Sequence, residues 1–145
     1  MTMKVGFTGT QNQLTKAQTF MLARVLDKLS QHQMVEFHHG DCVGADAKAH
    51  DLVVVLRPKV KIVIHPPLKD EKRAFCAGDE ERPKKDYLDR DQDIVNECHV
   101  LVACPKGKDE ELRSGTWATV RRARAAKKSI WFIFPDGMDK IEEGK

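Results

Sequence analysis

At 145 residues, with 25 Lys+Arg against 22 Asp+Glu and a formal charge of +3, the chain fits one domain that can bury a core without disulfides or a structural metal. That charge does not argue for a nucleic-acid partner by itself, and no apolar run approaches the roughly 20 residues that span a bilayer. The N-terminus enters a strand pattern without a signal-peptide core, and the four cysteines form no C-x-x-C pair, so a cytoplasmic protein with reduced thiols and no membrane partner is the expectation.

Met3 to Phe7 is short, β-rich and ended by Thr8-Gly9-Thr10, which predicts the first strand. Thr15-x-x-Gln18 has the form of a capping box, and Ala17, Phe20, Met21, Val25 and Leu29 fall on one helical face, predicting a helix over 16–31. Val35 to His38 is a second strand. The turn Gly40-Asp41-Cys42-Val43-Gly44 feeds a helix from Ala45 to Leu56, stopped by Arg57-Pro58. Val60 to His65 is a third strand, followed by Pro66-Pro67 and a charged stretch through Asp86 that reads as an exposed loop or lid. A helix over Tyr87 to Cys98, a strand over Val100 to Cys104, a helix over Thr116 to Ala126 and a strand over Ile130 to Phe134 complete the alternation. Pro135-Asp136-Gly137 and a charged tail follow.

Strands separated by helices require right-handed crossovers. The expected fold is α/β, a Rossmann-like three-layer sandwich with a mostly parallel five-stranded sheet, forming a single domain over residues 1–145. The dinucleotide fingerprint G-x-G-x-x-G is absent from the first turn, so ordinary dehydrogenase logic does not transfer.

Three glycine turns nevertheless lie at the same rim, where parallel sheets collect anions. Thr8, Gly9 and Thr10 offer close backbone approach and two hydroxyls, or are simply an ordinary strand-to-helix turn. Gly40 and Gly44 bracket Asp41, Cys42 and Val43, with Asp41 placed to accept a ribose hydroxyl. Asp46 and His50, one helical turn apart, share a face; the plainer role for Asp46 is to stabilise its own helix N-terminus. A metal held by His38, His39, Asp41, Cys42, Asp46 and His50 is disfavoured because adjacent strand residues point to opposite faces. No metal and no cofactor are expected. His65, at the end of the third strand, could face a base. Arg90 could clamp phosphate with its forked guanidinium or form a surface ion pair. Ser114, Gly115 and Thr116, at a helix N-terminus, are the best phosphate candidates, the alternative being a plain N-cap. Arg121, Arg122, Arg124, Lys127 and Lys128 make that helix basic, as its C-terminal dipole favours.

On these residues the chain resembles the SLOG superfamily of Rossmann-like proteins, closest to its small YspA/YpsA-related members. The similarity runs from Val5-Gly6-Phe7-Thr8-Gly9-Thr10 to Ser114-Gly115-Thr116-Trp117-Ala118-Thr119-Val120. Gly40-x-x-x-Gly44-x-Asp46-x-x-Ala49-His50 is similar to the glycine-rich segment of the DNA-processing protein A branch. Tyr87-x-x-Arg90 followed by Ser114-Gly115-Thr116 resembles the LOG phosphoribohydrolases, often misnamed lysine decarboxylases. In those enzymes the last motif is P-G-G-x-G-T-x-x-E, and its glutamate acts with an arginine that Arg90 matches. Here Thr119 stands where the glutamate would be, and Arg113-Ser114 replaces the P-G-G start.

The resemblance implies a binder of a nucleotide or nucleotide-derived ligand, as a sensor or regulatory module, with Arg90 and Asp41 as candidate catalytic groups. An N-glycosidase acting on nucleoside 5′-monophosphates is the enzymatic alternative, with Asp41 or Asp46 supplying the missing carboxylate. A single-stranded DNA-binding module is the third reading, which makes nucleic acid the less favoured partner. A homo-oligomer, paired through helices as in LOG proteins, is also implied.

Overall fold

The computed structural model describes residues 2–145. Its elements in chain order are β1 (Met3–Gly9), α1 (Lys16–Ser30), β2 (Met34–His39), α2 (Ala45–Leu56), β3 (Lys61–Ile64), a 3-10 turn (Asp70–Lys72), β4 (Glu80–Glu81), α3 (Tyr87–Glu97), β5 (Val100–Cys104), α4 (Gly115–Ala125), β6 (Ser129–Ile133) and β7 (Asp139–Glu142). One sheet runs β4-β3-β2-β1-β5-β6-β7. All neighbours are parallel except β6 and β7.

The α/β class and the mostly parallel sheet are as expected, but the sheet has seven strands rather than five. Both additions are short, charged edges, the form that discourages further pairing and carries no apolar signal in sequence. Glu80–Glu81 pairs with β3 and is fixed by an ion pair from Lys61 to Glu80 (2.7 Å). Asp139–Glu142 folds back on β6 after the Pro135-Asp136-Gly137 turn, and the Trp131 indole donates to Asp139 (2.9 Å).

Period-two alternation divides the core between the two faces. Val102 and Cys104 pack with Leu22, Val25, Leu26 and Leu29 of α1 and with Ala45, Ala49 and Val53 of α2. Leu101 and Ala103 pack with Ile94 and Val95 of α3 and with Trp117, Val120 and Ala123 of α4. A fully buried Leu22 or Ile130 contributes roughly 1.5–3 kcal/mol relative to exposure.

Thr15 caps α1, accepting from the Gln18 N–H (3.0 Å), but the Gln18 side chain does not close a capping box. It donates instead to the carbonyls of Pro105 and Ile133 (3.0 and 2.9 Å), tying α1 to the ends of β5 and β6. The buried face of α1 is centred on Leu22 and Leu26 rather than on Phe20, which is 66% exposed.

The charged stretch between β3 and α3 is fastened to the sheet edge. Arg73 pairs with buried Asp41 (2.7 Å), whose carboxylate also accepts from the Cys76 N–H (2.8 Å). Backbone bonds join Val43 to Lys72 (2.9 Å), Ala74 to Asp41 (2.8 Å) and Leu68 to Lys85 (3.0 Å).

Candidate ligand-binding site

Going outward from β1, the chain proceeds to β2 and β3 on one side of the sheet and to β5 and β6 on the other. The strand order therefore reverses between β1 and β5, the place where a crevice opens beyond the carboxyl ends of the strands. A cavity of about 490 Å³ lies there. It is lined by Thr8, Gly9 and Thr10 after β1, Gly40 and Cys42 after β2, and Asp46 on α2. Tyr87, Arg90 and Asp91 of α3 form another wall, and Lys106, Arg113 and the start of α4 at Ser114, Gly115 and Thr116 form the last.

The α4 end is suited to an anion. The first N–H groups of a helix have no acceptor within it, and they carry the positive end of the dipole. Ser114 caps Trp117 (3.3 Å), while a side chain built at Gly115 would meet no atom within 4 Å. Lys106 and Arg113 bring positive charge to the same wall, where Glu111 also stands and pairs with Lys106 (3.7 Å). The β1 turn opposite is rigid, because the Thr10 N–H donates to Cys104 and the Thr10 carbonyl accepts from Ala45 (3.0 and 2.9 Å).

Arg90 is buried and lies at the back of the cavity. Its Nη1 donates to the carbonyls of Gly40 (2.6 Å) and His65 (3.2 Å), locking the ends of β2 and β3 to α3. Its Nε lies 2.8 Å from Asp91 Oδ1, an ion pair without hydrogen-bond geometry. Gly40 is needed for this fit, since a Cβ there would stand 2.0 Å from Nη1. The guanidinium is thus a fixed positive charge lining the cavity, with one of its forks already occupied by backbone.

Asp46 is the least satisfied polar group of the site. One carboxylate oxygen accepts from the Cys42 N–H (3.1 Å); the other, Oδ1, is buried with no hydrogen-bond partner. Burial pushes its pKa up to about 7, against the opposing pull of Arg90. Burial also raises the Cys42 thiol to about 11, which leaves it a protonated lining group. Asp91 is raised by burial too, with Arg90 and the Thr119 hydroxyl opposing. Asp91 is a lining residue that sequence reasoning missed. Its place on α3 directly after Arg90, on the buried side of the helix, is the available signal. Lys106, Arg113 and Tyr87 also line the cavity without being site candidates from sequence: Tyr87 and Arg113 stand in the quoted motifs with no role assigned, and Lys106 lies in a loop that carries no motif.

Four sequence-picked residues do not line the cavity. Asp41 adopts φ 58°, a left-handed conformation that Asp tolerates, and turns its carboxylate to Arg73 and Cys76. Val43 lies over the loop, bonded through its N–H to Lys72. Gly44, at φ 91°, packs beneath the Gln11 carbonyl, where a Cβ would stand 2.4 Å away. His65 is 2% exposed and turns its ring to His38 (2.8 Å), offering only its carbonyl to Arg90.

The residues weighed as a metal set do not converge on one point, because His38 and His39 diverge to opposite faces of the sheet, although His39 and His50 meet. His39 accepts from the Asp41 N–H at Nδ1 (2.9 Å) and meets His50 Nδ1 through Nε2 (3.0 Å). Burial holds His39 well below its ordinary value. On the other face, His38 bonds Glu36 (2.8 Å) and His65. Burial lowers His38, and burial followed by the nearby His38 lowers His65 to about 3. The basic face of α4 is largely paired: Arg121 and Arg124 bond Glu110, Arg124 also bonds Glu142, and Arg122 bonds Gln92.

Among the described residues no helix is long and apolar enough to cross a membrane. No protein-family model matches the chain, and no curated protein sequence matches it. Solved structures do share its fold. TM1055, a structural-genomics target, superposes with a TM-score of 0.65 over 88% of this chain and 72% of its own, at 14% identity. A molybdenum cofactor binding protein from the phototrophic bacterium Rippkaea orientalis superposes with a TM-score of 0.68 over 92% of this chain and 77% of its own, at 16% identity. At those identities the likeness is one of fold, and it places the chain among Rossmann-like α/β proteins.

Proposed function

We propose that the cavity binds a nucleotide or nucleotide-derived small molecule, in the manner of a sensor or regulatory module of the SLOG type. The phosphate lies against the α4 N-terminus at Ser114, Gly115 and Thr116, with Thr8 and Thr10 opposite and Lys106, Arg113 and Arg90 supplying positive charge. The ribose lies toward Asp46. The observation that carries this reading is the buried, unpartnered Asp46 Oδ1, on a residue lining a cavity that the N-terminus of α4 also lines. A buried acceptor without a donor costs about 1–3 kcal/mol, and a ligand hydroxyl removes that cost. That a structural neighbour is described as binding a molybdenum cofactor agrees with small-molecule binding in this fold.

Thermal-shift titration with nucleoside mono-, di- and triphosphates, ADP-ribose, NAD and a short single-stranded DNA tests the reading. A ligand at about 100 times its Kd adds about 2.7 kcal/mol and raises the midpoint by several degrees. No shift with any nucleotide sinks the proposal, and a shift with DNA alone transfers the site to the DNA-binding reading.

Asp46 also favours a second reading, the N-glycosidase. A carboxyl held at about 7 is divided between acid and base near neutrality, as a group that protonates a leaving base or activates water must be. Asp91, beside Thr119, offers a carboxylate from α3 where the LOG motif has its glutamate. Free base released from nucleoside monophosphates, with turnover lost in Asp46→Asn while binding persists, supports this reading; undiminished turnover in that variant removes it.

A further inference from the structure

We propose that His38, His65 and Glu97 form a binding site for one divalent ion of the zinc class, on the α3 face of the sheet and apart from the cavity. The three residues come from β2, the end of β3 and the last position of α3, and their ligand atoms all lie within 4.8 Å of one another. None of them lines the cavity. α3 can reach this face because Gly6, opposite His38 in register, lets Ile94 and Cys98 pack directly on the sheet.

The hydrogen bonds prepare both imidazoles. Glu36 Oε1 stands 2.8 Å from His38 Nε2 and holds the proton on that nitrogen. The lone pair of His38 therefore lies on Nδ1, aimed at His65 Nε2 2.8 Å away. A carboxylate behind a ligating imidazole is the arrangement that orients histidines on metals and strengthens them as ligands. His65 joins by carrying its proton on Nδ1 instead of Nε2, so the pair loses no proton when the ion enters. Glu97 keeps one oxygen on Arg82 (2.5 Å) and presents the other 4.0 Å from His65 Nε2. Ligand bonds of about 2.0–2.2 Å at tetrahedral angles require the two nitrogens to open by roughly 0.5 Å, and the Glu97 oxygen to close by a similar amount on His65 and by up to roughly 1.4 Å on His38. Glu97 is 34% exposed, so its side chain can make that move, and an ion can enter past it. Two imidazoles and a carboxylate, with a position left for water, match zinc in ligand type and number.

The superficially similar group on the opposite face, His39, His50 and Cys76, lacks this preparation. The Asp41 N–H occupies His39 Nδ1, so the proton of the neutral ring must stay on Nε2, the nitrogen that faces His50. An ion there has to break a buried backbone hydrogen bond or strip the ring to imidazolate. That cluster serves as the internal control.

The test is titration of chelator-treated protein with zinc against a chromophoric competitor, repeated with Co²⁺ to read coordination from its visible absorption. One ion per chain with the intense bands of tetrahedral Co²⁺ is the expected result. It should be lost in His65→Asn, weakened about 10–100-fold in Glu36→Gln, and unchanged in His50→Asn and Cys76→Ser. Should His65→Asn fail to fold, Glu97→Gln, at the half-exposed ligand, should keep the wild-type circular dichroism and still bind at least about tenfold more weakly. The proposal is overturned by wild-type protein that takes up no zinc at equimolar concentration, by uptake that survives His65→Asn or Glu97→Gln undiminished, or by a thiolate-to-cobalt band that disappears with Cys76→Ser.

Discussion

The two sides of β2 treat buried polar groups in opposite ways. At the outer edge, Asp41, Arg73 and the Cys76 N–H satisfy one another and close the chain on itself. Toward β1 and β5, one oxygen of Asp46 is buried without a partner in a residue of the cavity wall, and the N-terminus of α4 lines the same cavity. Only four residues separate Asp41 from Asp46 in sequence. A carboxylate with all its partners inside the fold is a fastener; one lacking a partner in a cavity wall is an invitation to a ligand.

The largest expected effect comes from the fastener. Asp41→Ala leaves Arg73 with a buried, half-deserted charge and should cost about 3–5 kcal/mol in urea unfolding. A loss under about 1 kcal/mol would mean that the clamp is not what holds the edge. Asp46→Asn should act in the opposite sense and depend on pH. Because its folded pKa is raised to about 7 from 3.8, the folded chain keeps a proton that the unfolded chain releases between these values. Stability contributed by the neutral acid is therefore full below about pH 4 and lost as pH climbs to about 7, a change on the order of a few kcal/mol. Asp46→Asn should flatten that slope and be more stable than wild type at pH 8; parallel pH profiles for the two proteins would contradict the assignment.

Gly40→Ala tests the junction between the two regions, since it forces Arg90 off the Gly40 carbonyl. A cost of about 1–3 kcal/mol is expected from overpacking, accompanied by weaker ligand binding as the guanidinium shifts. Unaltered stability would show that Arg90 has another resting place. Smallest in stability is Gly115→Asp. The position is open and an acid suits a helix N-terminus, so unfolding should change by no more than about 0.5 kcal/mol. Nucleotide binding should nevertheless be abolished, because a like charge then occupies the phosphate position; undiminished affinity would move the phosphate elsewhere.

Much of this division was legible before any coordinates. The strand and helix alternation, the α2 limits at Ala45 and Leu56, and the turns at Thr8, Gly40 and Ser114 follow from periodicity, glycine and caps. The two acidic edge strands were not legible, since Glu80-Glu81 and Asp139 to Glu142 are defined by pairing rather than by apolar pattern. Sequence favours Asp41 over Asp46 as the acid facing a ligand, and the structure reverses that order. What separates them is the left-handed backbone at Asp41 and the reach of Arg73, 32 residues later, a contact with no local trace. His65 looked like a rim residue for the same reason: its partner His38 is 27 residues away.

The fastening of the segment between β3 and α3 also bears on kinetics. With Arg73 anchored to Asp41, and hydrogen bonds joining Val43 to Lys72 and both Ala74 and Cys76 to Asp41, the middle of that segment is pinned beside β2, and swinging it over the crevice would break these bonds. If the cavity binds the proposed ligand, exchange with solvent need not wait for this stretch of chain to open, and ligand on- and off-rates should be unchanged in Arg73→Ala beyond its cost in stability.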